Sequence, residues 1–260
     1  MSNETPAKTE GAAVVSNDNQ KNALHHLQST EVFWEIRSRI TSIQNVLALF
    51  VDYESDKFDN DTKDLLASTR FEVWQLTRYI DNVRDISLLN AHELDKQLDF
   101  EDVNVSDVIN DALCNLTMFQ TNFGKRYFFF DKTPPDLAIR CDRNRFVRIF
   151  ESLLINSIVY SGEKVLVMIS VKTTDGGKVD IQIKDNGFGI PKADQARIFD
   201  YEFRGENAKK VDFKGMGTEL YLARQILKRM NGSITFESEE RAGSTFTISF
   251  RKDALYHEKG

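Results

Sequence analysis

Two stretches of this chain repeat their inward-facing residues at alternating intervals of three and four, and that spacing constrains the fold more than any other feature. In "VFWEIRSRITSIQNVLALF", residues 32–50, the repeat is Phe33, Ile36, Ile40, Ile43, Leu47 and Phe50. In the second stretch it is Leu66, Thr69, Val73, Leu76, Ile80 and Val83. Such steps place one stripe along a helix and bury it against partner helices. The first helix is expected from about Asn22 to Phe50. An acidic, turn-rich segment, "DYESDKFDNDTKD", links it to the second, which predicts an antiparallel hairpin. A lone hairpin leaves one stripe uncovered. A second copy would cover it, giving a dimeric four-helix bundle. The alternative is packing against the rest of the same chain. Trp34 lies one step off the stripe, beside the charged face of Glu35, Arg37 and Arg39, where a large apolar side chain is unexpected.

The chain has 260 residues, enough for one large or two ordinary domains. A net charge of -6 disfavours nucleic acid as the main partner. The two cysteines, Cys114 and Cys141, form no CxxC, which suits a reducing compartment. No signal peptide and no stretch of about 20 apolar residues is apparent, so a cytoplasmic protein without its own membrane span is expected. Residues 1–20 read as a disordered tail, 21–97 as the helical hairpin, 98–252 as a second domain and 253–260 as a C-terminal tail.

From about residue 98 the period changes. Helical segments alternate with strands such as "KVLVMISVKT" and "KVDIQIKD", joined by a "TDGG" turn. The order predicts an α+β sandwich with mostly antiparallel strands. Within it, "NSIVYS" puts Asn156 late on a helix, "DNGFGIP" ends a strand, and "KGMGTEL" opens a helix. Each motif alone is weak, since D-N-G is usually only a turn. Together they suggest nucleotide binding. Asp185 can accept a hydrogen bond from an adenine amino group. Gly187 and Gly189 let the backbone approach a flat ring and adopt positive φ. Gly215 and Gly217 make a mobile loop before a helix whose N–H groups can face phosphates. Asn156 offers a carbonyl oxygen suited to Mg²⁺.

Residues 104 to 251 resemble the ATP-binding domain of sensor histidine kinases, of the GHKL type. "SLLINSIVYS" resembles the N box, "DNGFGIP" the G1 box, "IFDYEFRGENA" the F box and "GMGTELYLARQILKRMNGSITFES" the G2 box with its following strand. The two N-terminal helices resemble the family's dimerisation and phosphotransfer hairpin, and "TRYIDNVRDISLLNAHEL" its end. The resemblance implies ATP and Mg²⁺ as ligands. Asn156 would hold the metal, Asp185 would read adenine, and Gly187 and Gly189 would contact the base. Tyr160 would lie near the adenine, and Arg204 with the loop to Gly217 would cover the phosphates.

The match fails at the reacting position. The family's H box reads roughly H-E-[LI]-R-[TS]-P-[LI], and here the residues are Trp34, Glu35, Ile36, Arg37, Ser38, Arg39 and Ile40. Indole nitrogen is a donor only and cannot carry a phosphoryl group. Arg39 in place of proline predicts a straighter helix. Ser152 stands for one asparagine of the N box, Val159 for its lysine and Glu219 for the last G2 glycine. Glu219 suits a helix N-terminus, yet it would also repel phosphates there. His25, His26, His92 and His257 are the remaining histidines, each a poor candidate acceptor.

The resulting expectation is a two-component signalling pseudokinase. It would form a homodimer and dock a response-regulator receiver domain or a partner histidine kinase through Trp34, Arg37 and Ser38. Trp34 could equally be an ordinary packing residue. The alternatives are an active kinase phosphorylating a separate phosphotransfer protein in trans, and an ATP-switched scaffold.

Overall fold

The computed structural model describes residues 31–51, 57–117, 125–130, 137–161, 164–174, 177–211 and 215–251. The expected N-terminal tail, the helical turns carrying His25 and His26, and the C-terminal tail with His257 lie outside the described residues. Helix α1 covers 31–51 without interruption through Arg39. Helix α2, Asn60–Asn90, starts at Asp59, whose side chain accepts a hydrogen bond from the Thr62 amide. The two run antiparallel. The Gln44 amide donates to Thr77 Oγ1 at 3.0 Å, and further toward the start of α1, Arg37 pairs with Asp81.

Within one chain the α1 stripe divides into two rows, each of period seven. Ile40 is buried, only 5% exposed, and Phe33 and Leu47 are partly buried. Ile36, Ile43 and Phe50 are 37%, 51% and 44% exposed. A coiled-coil seam needs both rows buried, so half of this one faces outward.

Helix α2 carries a second periodic face that the apolar pattern conceals. Phe71, Trp74, Arg78, Asp81, Asp85 and Leu88 also recur at three and four, and all but Trp74 are buried. This face packs on the rest of the chain. After a short 3₁₀ turn, Leu94–Gln97, strand β1 (Phe100–Asn104) pairs antiparallel with β3 (Ala138–Asp142). Between them lie helix α3 (Val105–Thr117) and β2 (Lys125–Phe130).

Helix α4 (Arg143–Val159) follows β3 directly, with the Asp142 carboxylate accepting the Arg145 amide at its N-terminus. Strands β4 (Lys164–Thr173) and β5 (Val179–Asp185) precede two short helices, α5 (Lys192–Gln195) and α6 (Glu206–Val211). Helix α7 (Glu219–Arg229), β6 (Gly232–Glu239) and β7 (Gly243–Phe250) complete the chain. The larger sheet has the order β2-β4-β5-β7-β6. Its pairings are antiparallel except β2 with β4, which is parallel.

Alternation along β5 turns Val179, Ile181 and Ile183 toward the helices. They meet Phe146, Phe150, Leu153 and Leu154 of α4 in one core, where the Phe146 ring stands edge-on to Phe250 at 5.3 Å. The architecture is therefore α+β, a helical hairpin followed by a mixed-sheet domain. Among the described residues no helix is long and apolar enough to cross a membrane.

The hairpin docks on this domain through charge. Asp85, almost wholly buried, pairs with Arg145 at 3.2 Å and also with Arg148. Asp81 pairs with Arg37 and, at 3.6 Å, with Arg148. Asp85→Ala leaves Arg148 short of a partner in a buried interface. The expected loss is about 3 kcal/mol by urea denaturation, with Arg145 partly rescued by Asp142. An unchanged midpoint would show that these pairs do not hold the domains together.

Candidate functional site

The site forms where β5 ends. The Asp185 carboxylate is locked by the chain around it. Its Oδ1 accepts the Gly187 amide at 2.8 Å and the Ser244 amide at 3.0 Å. Its Oδ2 is approached by the Ser157 hydroxyl at 3.4 Å, which leaves acceptor capacity on that oxygen. Burial pushes this carboxyl up, opposed by the two amide hydrogen bonds and by Ser157.

The glycines that follow serve close approach. At Gly187 a Cβ would lie 2.7 Å from the Tyr160 carbonyl and 2.9 Å from Asp185. The expectation of a positive φ there is not met: Gly187 is outside the left-handed region, and its smallness alone is used. Gly189 does adopt it, with φ +66, and a Cβ would fall 2.0 Å from the Glu239 carbonyl oxygen. The Tyr160 carbonyl accepts the Phe188 amide at 2.8 Å, tying the end of α4 to this turn.

Asn156, Tyr160, Asp185, Gly189, Arg204, Gly215 and Gly217 all line one cavity of about 280 Å³. Gly187 supports its floor through Asp185. Gly217 has φ +72 and packs on the Phe203 carbonyl, where a Cβ would come within 2.6 Å. Arg204 donates to the Ala208 carbonyl at 3.1 Å, bracing the loop that leads into α6. Trp34 and Arg37 are elsewhere, beside a second, polar depression between hairpin and sheet domain. Glu35 and Ser38 are exposed on α1. Exposed His92 follows α2 with φ 57.

The cavity has a wall that the motifs did not announce. Trp74, Gln75, Arg78, Tyr79 and Asn82, all on α2, face it. Arg78 donates to Glu151 at 2.7 Å and to Glu219 at 2.9 Å, with further bonds to Ser152 Oγ and the Arg148 carbonyl. Its guanidinium also lies over the Trp74 ring, 4.9 Å from the centroid. Asn82 donates to the other Glu219 oxygen at 3.2 Å. The carboxylate at the start of α7, expected to suit the helix end or to repel phosphates there, is thus clamped by α2. Burial raises its pKa, but Arg78, Ser152 and Asn82 outweigh burial and hold it below the usual carboxylate range. A signal for this wall was present in the 71-74-78-81-85-88 spacing, masked because half of those residues are charged.

Comparison with known proteins places this geometry. Residues 141–254 match the family described as "Histidine kinase-, DNA gyrase B-, and HSP90-like ATPase". Beyond that domain, the chain is similar to signal transduction histidine kinases. It is 26% identical over 218 residues to the signal transduction histidine-protein kinase ArlS of Staphylococcus haemolyticus, covering 84% of this chain and 46% of that protein. The chain thus spans about half the length of the curated relatives it matches. Among solved structures it is similar to full-length ShkA in complex with AMPPNP, with a TM-score of 0.58, 18% identity and coverage of 88% of this chain and 46% of that one. It also matches the Acinetobacter baumannii histidine kinase AdeS, with a TM-score of 0.53, 21% identity and coverage of 84% and 98%.

At the Asp185 end a fixed carboxylate and small residues meet apolar walls. The other end is lined differently. Beside Asn156, the Ser152 hydroxyl is engaged by Arg78, Val159 carries no charge, and Glu219 occupies the start of α7. Among the described residues no group of three or more His, Cys, Asp or Glu could hold a metal ion.

Two outcomes follow from this geometry. Gly189→Ala places a Cβ against the Glu239 carbonyl in a left-handed conformation. It should cost at least about 1–2 kcal/mol in chemical denaturation, before the clash is counted. A variant as stable as the parent would contradict the close approach. The lowered pKa of Glu219 means its pairing stabilises the docked state above the ordinary carboxylate pKa near 4.3 and is lost as pH falls through the lower folded value. Trp74 fluorescence followed between about pH 5 and 2 should therefore change more in the parent than in Glu219→Gln; equal curves would count against it.

Proposed function

We propose that this chain is a histidine-kinase-like signalling component that works by binding rather than by phosphorylating itself. It dimerises through α1 and α2 and docks a receiver domain or a partner histidine kinase on the hairpin. The observation that carries the reading is Trp34, which stands where the family resemblance puts the reacting histidine. An indole can bury area and donate one hydrogen bond, but it cannot accept a phosphoryl group. Residues 21–97 form the docking unit in this reading, and 98–252 the nucleotide-binding unit.

Several features support it. Trp34 is 57% exposed, with the Arg84 guanidinium over its ring at 5.4 Å. One side of a rigid amphipathic ring remains for a partner, as at interface hot spots. Arg37 and Ser38 flank it. The outward row Ile36, Ile43 and Phe50 supplies the apolar face that a second copy would cover. Asp185, Gly187, Gly189, Asn156 and Tyr160 support an adenine-nucleotide site that adjusts the hairpin through the α2 wall. ShkA, whose fold this chain shares, was crystallised in complex with AMPPNP, an adenine nucleotide, which agrees with this reading of the cavity.

A second reading, a kinase acting in trans, draws on the same Asn156 and Asp185. It is disfavoured by the Arg78–Glu219 contact, which sets a carboxylate at the helix end that a triphosphate would use. The deciding experiment incubates purified protein with γ-labelled ATP, alone and with candidate phosphotransfer proteins. No label on this chain is expected, and a labelled histidine on it would sink the proposal. Trp34→Ala should weaken partner binding by roughly 2 kcal/mol, about thirtyfold, with little change in melting temperature. Loss of stability with binding intact would instead make Trp34 a packing residue.

A further inference from the structure

We infer that the cavity selects an adenine nucleoside over a magnesium-bound nucleoside triphosphate, so that affinity falls as phosphates are added. The inference rests on the adenine-site reading of Asp185 given above. What it adds is the ligand class, and it is carried by Glu219, Arg78 and Thr218.

The charge in the cavity has the wrong sign for a polyanion. Its described lining presents two guanidinium groups, Arg78 and Arg204, against the carboxylates of Asp185, Asp194 and Glu219. Arg78 is not available to a phosphate, because it is shared between Glu219 and a further buried carboxylate, Glu151. Drawing it toward a ligand would leave Glu151, 4% exposed, without its cation. A buried carboxylate in that state is strongly unfavourable. Arg204 is turned to the Ala208 carbonyl.

Geometry points the same way. The N-terminal turn of an eleven-residue helix such as α7 would ordinarily attract an anion. Here its own first residue supplies the anion, and α2 covers that carboxylate through Arg78 and Asn82. The preceding residue, Thr218, is 1% exposed and lines the cavity, and its Oγ1 has no hydrogen-bond partner among the described residues. A buried hydroxyl without a partner is costly until something pairs with it. It is a neutral donor and acceptor, suited to a ribose hydroxyl rather than to a triphosphate. The base end, by contrast, keeps an ordered acceptor at Asp185 and small residues at 187 and 189. The molecule that satisfies both ends is adenosine.

The test is calorimetric titration of the full chain with adenosine, AMP and ATP, the last with excess Mg²⁺, at fixed ionic strength. Adenosine should bind at least about tenfold more tightly than Mg-ATP, with AMP between them. In Glu219→Gln the carboxylate charge is lost while a side chain able to meet Asn82 remains. There the gap should close by gain of ATP affinity, with adenosine changed less than about threefold. Glu219→Gly serves as the second variant, and adenosine binding reports whether either is folded. Mg-ATP binding as tightly as adenosine in the parent overturns the inference while the adenine site stands, as does a gap unchanged in both variants. Loss of all three ligands in Asp185→Asn separates the two cases. Failure of the parent to bind any of the three overturns the adenine reading itself.

Discussion

The arrangement of this protein depends on the burial of one guanidinium. Arg78 leaves water at the contact between hairpin and sheet domain, a transfer that is costly for an isolated ion. It is tolerated because its donors are taken in several directions, by Glu151, Glu219, Ser152 and the Arg148 carbonyl, with the Trp74 ring against its face. The fork geometry of arginine makes this possible, and a lysine could not reproduce it. Such a cluster adds little net stability over a well-packed apolar contact. It defines register instead. Helix α2 can sit on α4 and α7 in one place only, because a shift by one residue would turn Arg78, Asp81 and Asp85 away from their partners.

The consequences run outward from there along α2. One and two turns further on, Asp81 and Asp85 receive Arg37, Arg145 and Arg148, so the same ladder that docks the sheet domain also fastens α1. Arg145 is in turn held by Asp142, the residue that caps α4 and ends β3. Helix α4 carries Ser152, Asn156 and Tyr160 toward the cavity. Position in the cavity and position on the hairpin are therefore fixed by one connected set of charges. This gives a physical route by which occupancy of the cavity can bias the hairpin: a ligand that competes for Glu219 competes for Arg78, and so for the docking of α2.

The parts of this plan that were legible in the sequence are those written in apolar period. The stripe of Phe33 to Phe50, the alternation of β4 and β5, and the glycine-bearing turns at 185–191 and 215–217 led to a hairpin, a sheet domain and one cavity. The parallel pairing of β2 with β4 was not legible, since strand direction leaves no mark on a short run such as "KRYFFF". The second face of α2 escaped for a different reason. Its period is as regular as the first, but Arg78, Asp81 and Asp85 read as solvent-facing until their partners are known, and these lie 44 or more residues away. Gly187 shows a smaller error of the same kind. A glycine can be required by a neighbour's carbonyl as well as by its own φ, and only the packed structure separates the two.

Trp34 can now be placed in physical terms. On the spacing alone it was an aromatic at the border of a wet face. In the folded chain it is neither buried nor bare, since Arg84 lies over its ring and more than half of its surface remains open. That guanidinium is itself partly desolvated: burial lowers its pKa, though Asp85 and Asp81 oppose this. Its Nε is buried and has no hydrogen-bond partner among the described residues. A cation held this way strengthens its hold on an aromatic face, because fewer waters compete for it. The pair thus offers a partner a flat apolar surface with a cation held against its other face. A histidine at position 34 would present a smaller and more polar ring. Under the proposed reading, what position 34 contributes is recognition.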